Sequence, residues 1–278
     1  MLIAQVTDLH LHADAAHPNR ARFERVLAHL LAMWPQPDLL VLSGDLADDG
    51  AADSYRHLQA ALATWPHPVR LALGNHDDRA AFLSVFGQDH ADGGFVQGRA
   101  LHQGLHILAL DTLEAGRHGG AFCEARARWL RAELDAIGTA PVLVFLHHPP
   151  ADVGISWIDP GPRQDWIARL DTALQGANVV AICSGHVHVS ASLRWRGRAV
   201  LTCTASSSDL SLAFAPMDAS RPDGRPLVEQ GEPAFALHRW QDGELATLFG
   251  RVPQRVVAHW NDASRQVVGE MLGESRRG

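Results

Sequence analysis

Residues 2–10 read LIAQVTDLH and residues 69–77 read VRLALGNHD. In both, an apolar run of strand length stops abruptly at side chains able to hold a metal ion. The same event recurs along the chain. Apolar runs rich in Val, Ile and Leu at 2–6, 38–43, 69–73, 105–110, 141–146 and 178–183 read as buried strands. Five of them end at Asp8-Leu9-His10, Gly44-Asp45, Gly74-Asn75-His76-Asp77, His147-His148-Pro149-Pro150 and Gly185-His186-Val187-His188. Ligand sites of open α/β sheets form at the carboxyl ends of strands, so these groups are expected to converge on one edge. On extended backbone, residues i and i+2 point to the same side. The D-x-H and H-x-H spacings are therefore expected to aim both side chains at one region. The glycines before Asp45, Asn75 and His186 allow tight turns or a close backbone approach that a β-carbon would obstruct.

Between the strands, residues 19–34 place Phe23, Val26, Leu27, Leu30 and Leu31 at helical spacing, and 51–65 and 124–137 behave similarly. Alternating strand and helix predict an α/β protein. Beyond residue 184, SASLRWRG, RAVLTCTA, PAFALHRW and ELATLFG alternate as short strands of a second sheet, which predicts a two-sheet sandwich. Residues 205–233, rich in Ser, Pro, Asp and Gly, read as a long irregular connection. The expected organisation is one catalytic domain over 1–250 and a tail over 251–278. The tail forms a helix around 263–273, then frays or makes an oligomer contact.

A chain of 278 residues with 46% hydrophobic and 20% charged residues can bury a core without disulfides or structural metal, which leaves any metal free for catalysis. Its three cysteines, Cys123, Cys183 and Cys203, show no CxxC spacing and fit buried thiols in a reducing cytoplasm. No run approaches ~18 consecutive apolar residues, and a net charge of -7 gives no basic footprint for a nucleic-acid polymer. A small anionic substrate must then be attracted locally, by metal. Carboxylates, imidazoles and one amide oxygen suit Mn²⁺, Fe²⁺, Co²⁺ or Zn²⁺. Two such ions ~3.5–4 Å apart need a bridging carboxylate, and Asp45 stands between the two sets of histidines. With 17 histidines in the chain a single H-x-H pair says little, so of His10 and His12 only His10 is assigned a ligand role.

The motifs QVTDLH, LSGDLADDG, LGNHDD, LHHPP and CSGHVH resemble the calcineurin-like metallophosphoesterase superfamily, more narrowly its branch of class III cyclic-nucleotide phosphodiesterases and glycerophosphodiesterases. The resemblance covers roughly residues 1–250. It implies a four-layer α-β-β-α sandwich with two mixed sheets. It implies one ion held by Asp8, His10, Asp45 and His188, and a second by Asp45, Asn75, His147 and His186. It implies in-line attack at phosphorus by a hydroxide shared by the two ions. Asn75 and His76 then contact the phosphate, and His76 protonates the leaving oxygen. His147 aligns with the family's ligand and His148 with a variable position, supporting a ligand or facing substrate.

Two positions, Asp77 and Trp157, keep two readings each. Asp77 orients an imidazole or serves a turn, Asp48 and Asp49 cap the helix near 51–65, and Trp157 either stacks on a substrate base or packs inside the protein or at an interface. The expected substrate is a small phosphodiester, with a 3′,5′-cyclic nucleotide ahead of a glycerophosphodiester. Phosphomonoesters, nucleotide pyrophosphates and phosphonates are alternatives on the same metals, and a non-catalytic protein-binding scaffold is a third class. A homodimer is expected by analogy with the family.

Overall fold

A computed structural model describes residues 1–274 apart from 162, 163, 219 and 255. The apolar runs form β1 (Leu2–Val6), β2 (Leu39–Ser43), β3 (Val69–Ala72), β5 (Leu105–Leu110), β6 (Val142–Leu146) and β7 (Val179–Ser184), with β4 (Gly98–His102) before β5. Later come β8 (Ala191–Trp195), β9 (Arg198–Thr202), the two-residue β10 (Asp209–Leu210) and β11 (Val228–Glu229), β12 (Ala234–Gln241) and β13 (Glu244–Arg251). The helices are α1 (Pro18–Leu31), α2 (Ala52–Leu62), α3 (Arg79–Phe86), α4 (Glu124–Ile137), α5 (Asp165–Ala173) and α6 (Arg265–Glu274). The predicted fraying beyond Glu274 lies outside the described residues.

Two mixed sheets result, ordered β13-β12-β1-β2-β3 and β4-β5-β6-β7-β9-β8. Within them β1, β2 and β3 run parallel, as do β5, β6, β7 and β9, and antiparallel strands flank each set. One expectation needs correcting. The late strands do not build a second sheet of their own: β8 and β9 extend the sheet of β5–β7, and β12 and β13 extend the sheet of β1–β3. Local alternation announces a strand but carries no address for its partner.

Side-chain alternation divides each strand between two faces. Ala4, Val6, Leu40 and Leu42 pack outward against Phe23, Val26 and Leu30 of α1, Tyr55 and Leu58 of α2 and Phe82 of α3. Ile3, Leu39 and Val41 face inward and meet Ile107, Leu143, Phe145 and Ala181 of the other sheet. That sheet's outer face, with Leu108, Val144 and Ile182, is covered by Leu130 and Leu134 of α4 and Trp166 and Leu170 of α5. The layers are thus α-β-β-α. Cys183 and Cys203 are buried as expected, and Cys123 is half-buried. No helix among the described residues is long and apolar enough to cross a membrane.

Candidate metal centre

The carboxyl ends of β1, β2, β3, β6 and β7 open into five loops that hydrogen-bond to one another. The Asp8 and His10 amides donate to the carbonyls of Gly44 and Asp45, both at 3.0 Å, and the Gly185 amide donates to the His147 carbonyl at 3.1 Å. A β-carbon on Gly74 would overlap Asp45 and His147, and one on Gly185 would overlap Thr7 and Asp8, so the loops close only because these positions carry none.

The paired candidate ligands do not stand on extended backbone, contrary to the sequence expectation. Asp8, His10, Asp45, His186 and His188 all adopt left-handed backbone, with φ of 53°, 45°, 48°, 67° and 50°. The intervening Leu9 and Val187 are fully buried and anchor the alternating turns. Such conformations cost about 1–3 kcal/mol each and persist only where the surroundings over-determine them.

The side chains so aimed converge. Asp45 Oδ2 lies 3.2 Å from His147 Nε2 and 3.6 Å from His10 Nε2. Asp8 Oδ1 lies 3.2 Å from His188 Nε2 and 3.9 Å from His147 Nε2. The His186 ring stands 5.2 Å from that of His147 and 4.6 Å from that of His148, centroid to centroid. Donor atoms of Asp8, His10 and His188 lie within 4.8 Å of one another, as do those of Asp8, Asp45 and His147, and those of His147, His148 and His186.

The donor set fits a pair of cations. His147 Nδ1 faces the Ser43 carbonyl at 3.0 Å, His188 Nδ1 the Ser208 carbonyl at 2.8 Å, and His10 Nδ1 the Asp48 carboxylate at 3.0 Å. These partners only accept, so each Nδ1 carries the hydrogen and each Nε2 presents its lone pair to the shared space. His10 Nε2 and His188 Nε2 meet at 3.3 Å, an arrangement that needs positive charge beside it. Asn75 Oδ1, His147 Nε2 and His148 Nε2 are buried and have no hydrogen-bond partner among the described residues.

The electrostatics of the cluster agree. Burial pushes the His147 imidazole down, but Asp45 and Asp8 outweigh it and raise it to about 9. Burial alone would push Asp45 up, yet His147, His10 and His76 hold it well below the usual carboxylate range. Burial and the neighbouring His147 hold His186 down at about 3, leaving a neutral imidazole that suits a ligand.

At the rim, the His76 amide donates to Asp45 Oδ1 at 2.9 Å, and its ring Nδ1 donates to the Asp48 carbonyl at 2.8 Å. Asp77 serves the turn and not an imidazole. Its carboxylate accepts from the amides of Leu46, Ala47 and Gly74 and from the Tyr55 hydroxyl. Asp49 accepts from the Ala51 amide at the start of α2. Asp48 does not cap that helix: it takes the hydrogen of His10 Nδ1 and stands 3.4 Å from His12 Nε2. Sequence reasoning missed this role because the contact is made through the fold and a GDLADD run reads locally as a helix start. Asp48→Ala should weaken divalent-metal affinity about 10–100-fold in a competition titration against a chelator, with the thermal transition of the metal-free protein little changed.

The centre opens into a cavity of about 540 Å³. Trp157, Ile158, Leu210 and Val228 give it an apolar wall, and Ser207, Ser208 and Gln230 a polar one. Part of 205–233 therefore lines the site through the short β10–β11 ladder, which pairs Leu210 with Val228. Trp157 is 39% exposed on this wall and is not a core residue.

Residues 1–190 match the family model described as calcineurin-like phosphoesterase. The chain is 32% identical over 221 residues to a probable cyclic nucleotide phosphodiesterase of Rhodococcus erythropolis, covering 76% of this chain and 73% of that one. It is 26% identical over 256 residues to a probable glycerophosphodiester phosphodiesterase of Arcobacter nitrofigilis, covering 89% and 91%. Among solved structures, a dimetal phosphatase from Danio rerio superposes with a TM-score of 0.61 at 15% identity, covering 89% of this chain and 98% of that one, a likeness of fold.

Proposed function

The chain belongs to the calcineurin-like phosphoesterase family, and from that premise we propose that it hydrolyses small phosphodiesters at a two-metal centre. Asp8, His10, Asp45 and His188 would hold one ion, and Asp45, Asn75, His147 and His186 the other. The observation that carries this reading is the set of lone pairs turned on one space by Nδ1 hydrogen bonds to acceptor-only partners. Bound there, two divalent ions would neutralise phosphate oxygens and lower the pKa of a water for attack on phosphorus.

The chain's own residues do the remaining work. Asn75 and His76 border the cavity where the phosphate sits. His76 commits Nδ1 to the Asp48 carbonyl, so Nε2 is the nitrogen left to give a proton to the leaving oxygen. His148 lies behind His186 with Nδ1 2.8 Å from Thr112 Oγ1, and it supports the ligand wall from that side. Trp157, Leu210 and Val228 offer a face on which a nucleobase can stack. Cyclic nucleotides and glycerophosphodiesters are the two substrate classes the relatives' names suggest. The donor mixture suits Mn²⁺, Fe²⁺, Co²⁺ or Zn²⁺, and unpaired cysteines suit the cytoplasm.

The test is hydrolysis of bis(p-nitrophenyl) phosphate beside p-nitrophenyl phosphate by metal-stripped protein titrated with each of these ions. The expected result is no turnover without metal and a diester preference that saturates near two ions per chain. A monoester preference would move the reading to phosphatase chemistry, and no turnover with any ion would leave a non-catalytic scaffold.

A further inference from the structure

A second cavity of about 640 Å³ adjoins the first. The two share His118, Trp157, Ile158 and His186 in their walls, so they meet at the ligand His186 and are divided by the loop residues His118, Trp157 and Ile158. The second chamber touches the centre through His148 and His186 alone among the expected site residues, and its outer lining includes Arg117, Phe122 and Gln164. His148 Nε2, buried and without a hydrogen-bond partner among the described residues, belongs to this wall. By contrast His76 lines only the first cavity.

We infer that the enzyme takes open-chain phosphodiesters across both cavities: the arm that leaves lies in the first, beside His76, and the arm that stays on phosphorus lies in the second. This rests on the diesterase reading above and adds to it the place of each ester arm. A diester has two ester arms diverging from phosphorus, and a centre that grips the non-bridging oxygens sends them to different sides. A 3′,5′-cyclic phosphate ties both arms into one ring and needs the first cavity only. In the open-chain reaction the water oxygen bonds to phosphorus and the bond to the first-cavity oxygen breaks. That oxygen departs as an alcohol with the proton from His76, the water's proton passes to solvent, and the retained arm stays on the phosphomonoester product.

The experiment keeps the leaving group constant and varies the retained arm, using methyl p-nitrophenyl phosphate and phenyl p-nitrophenyl phosphate with metal-loaded protein. Wild type should favour the phenyl diester about tenfold in kcat/KM, the scale on which a pocket rewards added apolar bulk. Gly119→Trp fills the second chamber from a position where a β-carbon meets nothing within 4 Å. Gln164→Trp fills it from the exposed start of α5. Each should erase the phenyl preference while hydrolysis of a cyclic nucleotide falls far less. A phenyl preference absent from wild type, or surviving in both folded variants, would overturn the inference. If metal-loaded wild type turned over neither diester, the diesterase reading itself would fall, an outcome distinct from the first.

Discussion

Asp45→Asn should keep the fold and lose the reaction. Asparagine tolerates the left-handed backbone that Asp45 adopts at φ 48°. Its side-chain oxygen can still accept from the His76 amide, now bonded at 2.9 Å. What disappears is the negative charge lying 3.2 Å from His147 Nε2 and 3.6 Å from His10 Nε2, the one carboxylate shared by both proposed ion sites. Bound metal, counted by elemental analysis, is expected to fall from two ions per chain to one or none. Turnover of bis(p-nitrophenyl) phosphate should fall by about 10³-fold, the scale seen when one preorganised electrostatic group is removed. Far-UV circular dichroism should be unchanged. A variant retaining two ions and wild-type turnover would remove the bridging role.

Asp77→Ala should act in the opposite order, on stability first. The carboxylate is buried and accepts at 3.1 Å from Leu46, 2.9 Å from Ala47, 2.8 Å from Gly74 and 3.0 Å from the Tyr55 hydroxyl. Alanine strands these donors away from water, where each lost partner costs about 1–3 kcal/mol and the terms do not add fully. We expect a loss of about 4 kcal/mol in urea unfolding of the metal-free protein. Asp77→Asn should lose less, since one oxygen can still accept. Activity should fall as well, because the same carboxylate ties the turn after β2, which carries Asp45, to the turn after β3, which carries Asn75. A loss below about 1 kcal/mol would show that these loops are held by something else.

How much of this was legible in the sequence follows from the range of each interaction. The six apolar runs became strands because a buried parallel strand writes itself as an unbroken apolar stretch. The candidate ligand groups were visible because they interrupt those stretches at the same place each time. Less local features were not visible. The α3 helix is apolar on most sides, from Ala80 to Phe86 with Ser84 as the one polar residue, so it shows little stripe, although Asp78 caps it by accepting from the Ala81 amide at 2.7 Å. The α5 helix does carry a stripe, Trp166, Ile167, Leu170 and Ala173, but its nine residues give barely more than two turns over which a helical period can show. Nothing nearby in the chain told that β12 would lie beside β1, or that three histidines and two aspartates would turn left-handed. Both follow from contacts between loops far apart in sequence. Asp48 shows the same limit, since its partner His10 lies 38 residues away.

The pairing of β1 with β12 also bears on how the molecule comes into being. Leu2 through Gln5 pair with Arg239 through Ala236, and the amino terminus itself donates to the Trp240 carbonyl at 2.9 Å. On a ribosome, β1 therefore emerges well before the strand that completes its set of neighbours. At about 5–20 residues per second the wait is on the order of 10–50 s. Throughout it, one edge of the strand that leads into Asp8 and His10 stays open to whatever else the nascent chain encounters.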